Sequence, residues 1–134
     1  MNRNDVRVKV FLAAGASGWG VALLGVLLPW KVMTPMLQSM GTSYDFSDAQ
    51  MQYWLRRACG AWSIIGFMFL MVLLKPHKYG NLVPLLAWSS IFEGIVLLVH
   101  GLLAGISLFP FAGDVLFCLV VGCGLLLCSC ETMR

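Results

Sequence analysis

From Leu82 to Ile106 the chain carries only two ionisable side chains, Glu93 and His100, in an otherwise apolar run. A helix crosses the hydrocarbon core of a bilayer with about 20 apolar residues at ~1.5 Å each, so this run is long enough to span. Glu93 falls near its middle. An ionisable group at that depth is expensive in lipid, so it should face protein or water. His100 follows close to two helical turns later, which puts both side chains on one face, roughly 10 Å apart along the axis. They are too far apart to bond each other and are placed to line one seam.

Three further apolar runs occur, at about 8–30, 59–74 and 115–130. The whole chain of 134 residues is 60% hydrophobic and 11% charged. A soluble domain carries about 25% charged residues, so this surface cannot be a soluble one. The fold predicted is all-α: a four-transmembrane-helix bundle forming one domain over 1–134, with spans at about 8–30, 52–74, 82–106 and 114–130. Short connections favour antiparallel neighbours.

Charge placement predicts the topology. Arg3, Arg7 and Lys9 flank the start of the first span, Lys75 and Lys78 lie between spans two and three, and Arg134 ends the chain. No Lys or Arg separates spans three and four. By the positive-inside rule both termini and the 75–81 turn are cytoplasmic, with Lys31, Arg56 and Arg57 as outer-side exceptions. The net charge of +3 is scattered over ends and loops, so nucleic acid is not an expected partner. The basic start and apolar stretch resemble a secretion signal, but the run is long and no small-residue cleavage site follows; it reads as an uncleaved first span.

Span one is rich in small residues. Ala14 with Gly18, and Ala16 with Gly20, fit the small-xxx-small spacing that lets helix backbones approach in lipid. Gly101 and Gly105 give span three the same spacing. Between spans one and two, Thr34 followed by Pro35 reads as a cap and first helical position, and Gly41 as a stop, which predicts a short interfacial helix over about 35–40. Met33, Met36 and Met40 share its face. Thioethers suit Cu(I), but no His supports a copper site here, and the stripe reads as the apolar underside of a surface helix. Ser47 and Gln50 form a capping box that starts a long helix running to Leu74. Tyr53 and Trp54 mark the membrane interface on it, and Arg56 and Arg57 follow. Adjacent residues diverge by about 100°, so the two arginines either snorkel to headgroups or turn at least one guanidinium inward. Pro76 stops this helix. Asp114 is read as the cap of span four.

Counting residues from the 75–81 turn puts Arg56 and His100 at one depth near the outer face, with Asp114 entering at about that level and Glu93 two turns deeper. The expectation is an outer polar cluster of Arg56 or Arg57, His100 and Asp114, with Glu93 beneath. It reads as a buried network fixing helix packing, as a ligand or proton site with the pKa of Glu93 raised by desolvation and His100 as relay, or as a haem or chlorin site with His100 as axial ligand. No cofactor is specified. The five cysteines, Cys59, Cys118, Cys123, Cys128 and Cys130, form no CxxC and read as small packing residues. No P-loop, GxSxG, HExxH or zinc signature occurs, so neither catalytic residues nor a metal site are assigned.

The block from Tyr53 to Trp62, the turn Lys75-Pro76-His77-Lys78-Tyr79 and a third span carrying His100-Gly101 resemble the small four-helix bacterial families grouped around DoxX-like proteins. The resemblance covers about half the chain. It implies a four-helix bundle in a bacterial inner membrane; most such families have no assigned chemistry, and some are associated with oxidases or degradation operons. The function expected is a non-catalytic accessory subunit packing against a larger membrane complex. The alternative is a small transporter or proton-coupled binding protein using Glu93 and His100. Both place the chain in the lipid bilayer, the first with other membrane subunits as partners.

Overall fold

A computed structural model describes residues 3–41, 47–105 and 108–132, and side chains over 6–41, 47–105 and 112–128. Only helices occur among the described residues: α1 (Arg3–Gly20), α2 (Leu23–Leu27), α3 (Trp30–Ser39), α4 (Ala49–Leu74), α5 (Pro76–Tyr79), a 3₁₀ turn (Gly80–Leu82), α6 (Val83–Leu103) and α7 (Leu108–Thr132). Three stretches are long and apolar enough to cross a membrane: Val6–Leu27, Ala49–Leu74 and Pro76–Leu103. A shorter apolar helix covers Ala112–Cys128.

The first apolar run is not one helix. Val21 N–H still bonds the Ser17 carbonyl at 3.0 Å, but Ala22, Leu24 and Gly25 reach back only three residues, to Trp19, Val21 and Ala22. This 3₁₀ tightening ends α1 and re-aims the chain into α2. Pro29 then stops α2, because it has no N–H to continue the ladder. It also caps α3 in extended conformation, φ −63° and ψ 146°. The helix expected at 35–40 therefore starts five residues earlier, and Pro35 is carried inside it.

The cap of α4 is Asp48, whose side chain accepts from Gln50 N–H at 3.0 Å, rather than the neighbouring Ser47. At the far end Lys75 leaves helical geometry, as a residue before proline tends to, and Pro76 opens α5 at a position where its missing N–H costs nothing. Helix α7 already runs from Leu108, so Asp114 sits inside it and does not cap it. Gly105 lies one residue beyond Ala104, the C-cap of α6, at φ +63°. It is a helix stop of the left-handed kind, so Gly101 and Gly105 do not form a continuous helical stripe. Residues 42–46, residues 106–107 and the side chain of Cys130 lie outside the described residues.

Close contacts fix the register. Gly66 of α4 meets Gly20 of α1, and Gly15 lies under the Phe69 ring. Gly18 lies under Phe117 of α7 and Gly124 under Phe11. Gly94 of α6 faces Cys118 and Leu119, and Gly122 faces Ala87 and Ile91. Each pair is antiparallel, giving the spatial order α4, α1, α7, α6. The α4–α6 edge is different. These two helices are joined by the 75–82 turn and share the buried core, Phe69 and Val72 from α4 with Val83, Leu86 and Ala87 from α6, but their backbones make few close approaches.

The core is consequently lopsided. Its fully buried members from α4 and α6, Phe69, Val72, Val83, Leu86 and Ala87, all lie in the half nearest that turn. Farther out, buried Cys59 of α4 is turned to Gly25 of α2, and buried Gly94 of α6 is turned to α7. In the outer half the close backbone contacts are those of α2 with α4 and of α6 with α7.

Candidate functional site

Arg56 is the polar side chain with the most defined environment. Its Nη1 donates to the carbonyl of Val26, and its Nη2 donates to that of Leu28 at 3.0 Å. The guanidinium carbon lies 5.2 Å from the centroid of the Trp30 ring. The break at Pro29 explains this arrangement. Helix carbonyls near a terminus lack intrahelical donors, and an arginine fork supplies several donors in fixed geometry. The α1–α4 register carries Arg56 to the level of residues 28–30, so the donor arrives where acceptors are orphaned. Arg57 points elsewhere: it is exposed and stacks 5.1 Å from the Trp54 centroid. One arginine turns inward and one does not. Sequence reasoning missed the target of Arg56, although Pro29 was the available signal.

The expected outer cluster does not assemble. Equal depth along the axis is not enough, because α4 takes α1 and α2 as neighbours while α6 takes α7. Arg56 is thus spent on the α2 carbonyls. His100 is exposed near the end of α6. Asp114 lies on an exposed position of α7. Glu93 and Asp114 do share a neighbour, since both lie close enough to the Cys118 thiol to act on it electrostatically.

Glu93 is half-buried on α6. Ser90, one turn away, is buried and returns its hydroxyl to the Leu86 carbonyl at 2.8 Å. Among the described residues no hydrogen bond or ion pair reaches the Glu93 carboxyl. By the 3.6-residue period Ser89, Glu93 and His100 share one flank of α6, beside the Leu86–Ser90–Leu97 row and opposite the Ile91–Gly94–Leu98 row that meets α7. That flank borders the α4–α6 edge. The interior holds one more unpaired group: Trp19, 8% exposed, packs edge-on against Phe117 with centroids 6.0 Å apart, and its Nε1–H has no acceptor among the described residues.

The small residues of α1 all pack within the chain: Ala14 and Ala16 against the core, Gly18 under Phe117 and Gly20 against Gly66. Ala16 and Gly20 line an open groove of about 330 Å³ between α1 and α4, with Ser63, Gly66, Phe67 and Leu70 opposite. A side chain added at Gly20 would meet nothing within 4 Å. No group of three or more His, Cys, Asp or Glu is placed to hold a metal among the described residues. The chain matches no family model, no curated protein and no solved structure.

Proposed function

We propose that this chain is a non-catalytic accessory subunit that packs against a larger membrane complex through the α1–α4 groove. The observation that carries the reading is the groove itself. It faces outward from the bundle, Ser63 is the polar residue among its lining, and Ser63 already bonds the Cys59 carbonyl at 2.7 Å. Lipid gives helices no hydrophobic reason to associate, so contact relies on close packing, and glycine-floored grooves admit a second helix closely. In this reading α7 is the fourth span, α3 lies at the membrane surface, and both termini are cytoplasmic as the basic residues direct. The bacterial inner membrane is the location implied by the DoxX-like resemblance.

The test is extraction in mild detergent with a tag at Arg134, then native mass spectrometry. Stoichiometric partners are expected, and Gly20→Leu should release them while leaving the bundle folded, because the added side chain enters empty space. A monomer alone in every mild detergent overturns the reading.

A second reading, a small transporter or proton-coupled binding protein using Glu93 and His100, is favoured by the Glu93 carboxyl, which no described residue bonds. Glu93→Gln separates the two. A subunit keeps its assembly through the groove, whereas a proton site loses transport while still assembling.

A further inference from the structure

We propose that the end of the bundle holding the 75–82 turn binds the phosphate of an anionic phospholipid, with Lys9 of α1 and Lys75 of the turn as its principal contacts. The proposal goes beyond the accessory-subunit reading and stands without it. The α1–α4 register brings the two lysines together. Gly15 of α1 lies under Phe69 of α4. Equal steps toward the turn, from 15 to 9 and from 69 to 75, put Lys9 level with Lys75. By the helical period Lys9 shares a flank of α1 with Ala16 and Gly20, the flank turned to α4. Packed helix axes lie about 8–10 Å apart, a gap that two flexible lysine stems can bridge to one phosphate. Val8 and Tyr79 both pack against the core, which sets their chain neighbours Arg7 and Lys78 at the same end.

This end carries cations without acids. Arg7, Lys9, Lys75 and Lys78 are exposed, and among the described residues no carboxylate pairs with them. The acids with described side chains stand elsewhere: Asp48 caps the opposite end of α4, Glu93 is mid-way along α6 and Asp114 lies in the first turns of α7. The sequence adds Asp5 and Glu131 at this end, and with Arg3 counted the balance stays positive. At the other end the arginines are engaged, Arg56 by the Val26 and Leu28 carbonyls and Arg57 by Trp54. Depth selects a lipid as the source of the phosphate. Arg7 and Lys9 open the Val6–Leu27 stretch and Lys75 directly follows Ala49–Leu74, so the cations stand at headgroup level. Just inside them Val10 and Leu74 are exposed, apolar surface that acyl chains cover and a free phosphate leaves wet. Each lysine near an anionic membrane surface strengthens attraction about fivefold, and direct contact adds charge-assisted hydrogen bonds.

The test is native mass spectrometry of the purified protein in mild detergent, titrated with phosphatidylglycerol or phosphatidylcholine of the same oleoyl chains. Phosphatidylglycerol should bind at least tenfold more tightly. Lys9→Gln with Lys75→Gln should cut that preference to about threefold or less, whereas Lys31→Gln with Arg57→Gln, which removes the same charge at the other end, should keep it. Soluble glycerol phosphate in excess should not displace the lipid. Equal binding of the two lipids overturns the proposal. So does an undiminished preference in the Lys9/Lys75 variant that keeps its helical circular dichroism, or an equal loss in the Lys31/Arg57 variant, which would assign the preference to net charge. Displacement by glycerol phosphate moves the site to a free phosphate and removes the lipid. A copurifying protein lost only from the Lys9/Lys75 variant, with no lipid preference in the wild type, gives the cluster to an acidic protein segment and overturns the proposal.

Discussion

The Nη2 of Arg56 donates a 3.0 Å hydrogen bond to the carbonyl of Leu28, the residue directly before Pro29. With the bond from Nη1 to Val26, it ties the start of α4 to the point where the first apolar run breaks. Hydrogen bonds from a charged group contribute about 1.5–3 kcal/mol each, and the stack on Trp30 adds to them. Arg56→Met should therefore lower unfolding stability in mild detergent by about 3 kcal/mol. Arg56→Lys should recover part of this, since an ammonium cannot reproduce the two-pronged fork. Arg57→Ala should fall within ~0.5 kcal/mol of wild type, as surface substitutions do. Equal losses at the two positions would show that the guanidinium of Arg56 is not what holds α2 in place.

The backbones of α1 and α4 approach closely at Gly66. A Cβ there would sit 2.5 Å from the Gly20 nitrogen and 2.8 Å from its Cα, so nothing flexible can yield. Gly66→Ala should cost about 1–3 kcal/mol as an overpacking substitution. Gly60 lies on the same helix with nothing within 4 Å of its would-be Cβ. Gly60→Ala should leave stability unchanged or raise it by up to ~1 kcal/mol through helix propensity. Thermal unfolding of the two variants side by side reads the difference, and a neutral Gly66→Ala would mean that α1 and α4 are farther apart than described.

The contrast between what the sequence disclosed and what it hid follows from range. Helices were legible because apolar runs of spanning length leave the backbone few options in lipid, and Pro76 announces the end of α4 by local sterics. The antiparallel order follows from short connections. Which antiparallel helices become neighbours does not, because that rests on contacts between residues far apart in sequence, such as Gly20 with Gly66 and Gly94 with Cys118. Hence Arg56, His100 and Asp114 can be placed at one depth by counting and still not meet. Errors of a few residues arise where two signals compete: Thr34 and Pro35 against Pro29 for the start of α3, Ser47 against Asp48 for the cap of α4, and Asp114 against Leu108 for the start of α7. Glu93 stands out in the sequence by its depth alone, and the structure adds the flank on which it lies.

The bend itself can be trapped. A Cβ built on Gly25 would lie 3.1 Å from the Cβ of Cys59 and in contact with its Sγ. That is a few tenths of an ångström inside the roughly 3.5–4.5 Å that disulfides span, a gap that a small shift of the short helix α2 can open. Cys59 is a free, buried thiol. Gly25→Cys should therefore close an α2–α4 bond under mild oxidation, read as the loss of two thiols in denaturing thiol counts and as a linked pair of peptides after proteolysis. The bond should also raise resistance to thermal unfolding. Failure to close, with both thiols accessible after reduction, would mean that α2 does not lie along α4.

The last turn of α6 and the first turns of α7 offer two glycines with opposite expectations. Gly105 adopts φ +63°, where an L side chain crowds its own backbone, and it terminates the helix just beyond the C-cap Ala104. Gly105→Ala should destabilise by about 1–2 kcal/mol, the cost of left-handed geometry for a residue with a Cβ. Gly113 lies inside α7, exposed, with nothing within 4 Å of an added Cβ. There alanine removes the flexibility of the unfolded chain and fills no occupied space, so Gly113→Ala should stabilise by about 0.5–1 kcal/mol. Were Gly105 instead part of a continuous helix packed through a stripe of Gly101 and Gly105, Gly105→Leu would disrupt association while Gly105→Ala stayed mild. With Gly105 as a stop, alanine and leucine should cost nearly the same, because the penalty belongs to the backbone and is fully incurred by the first carbon.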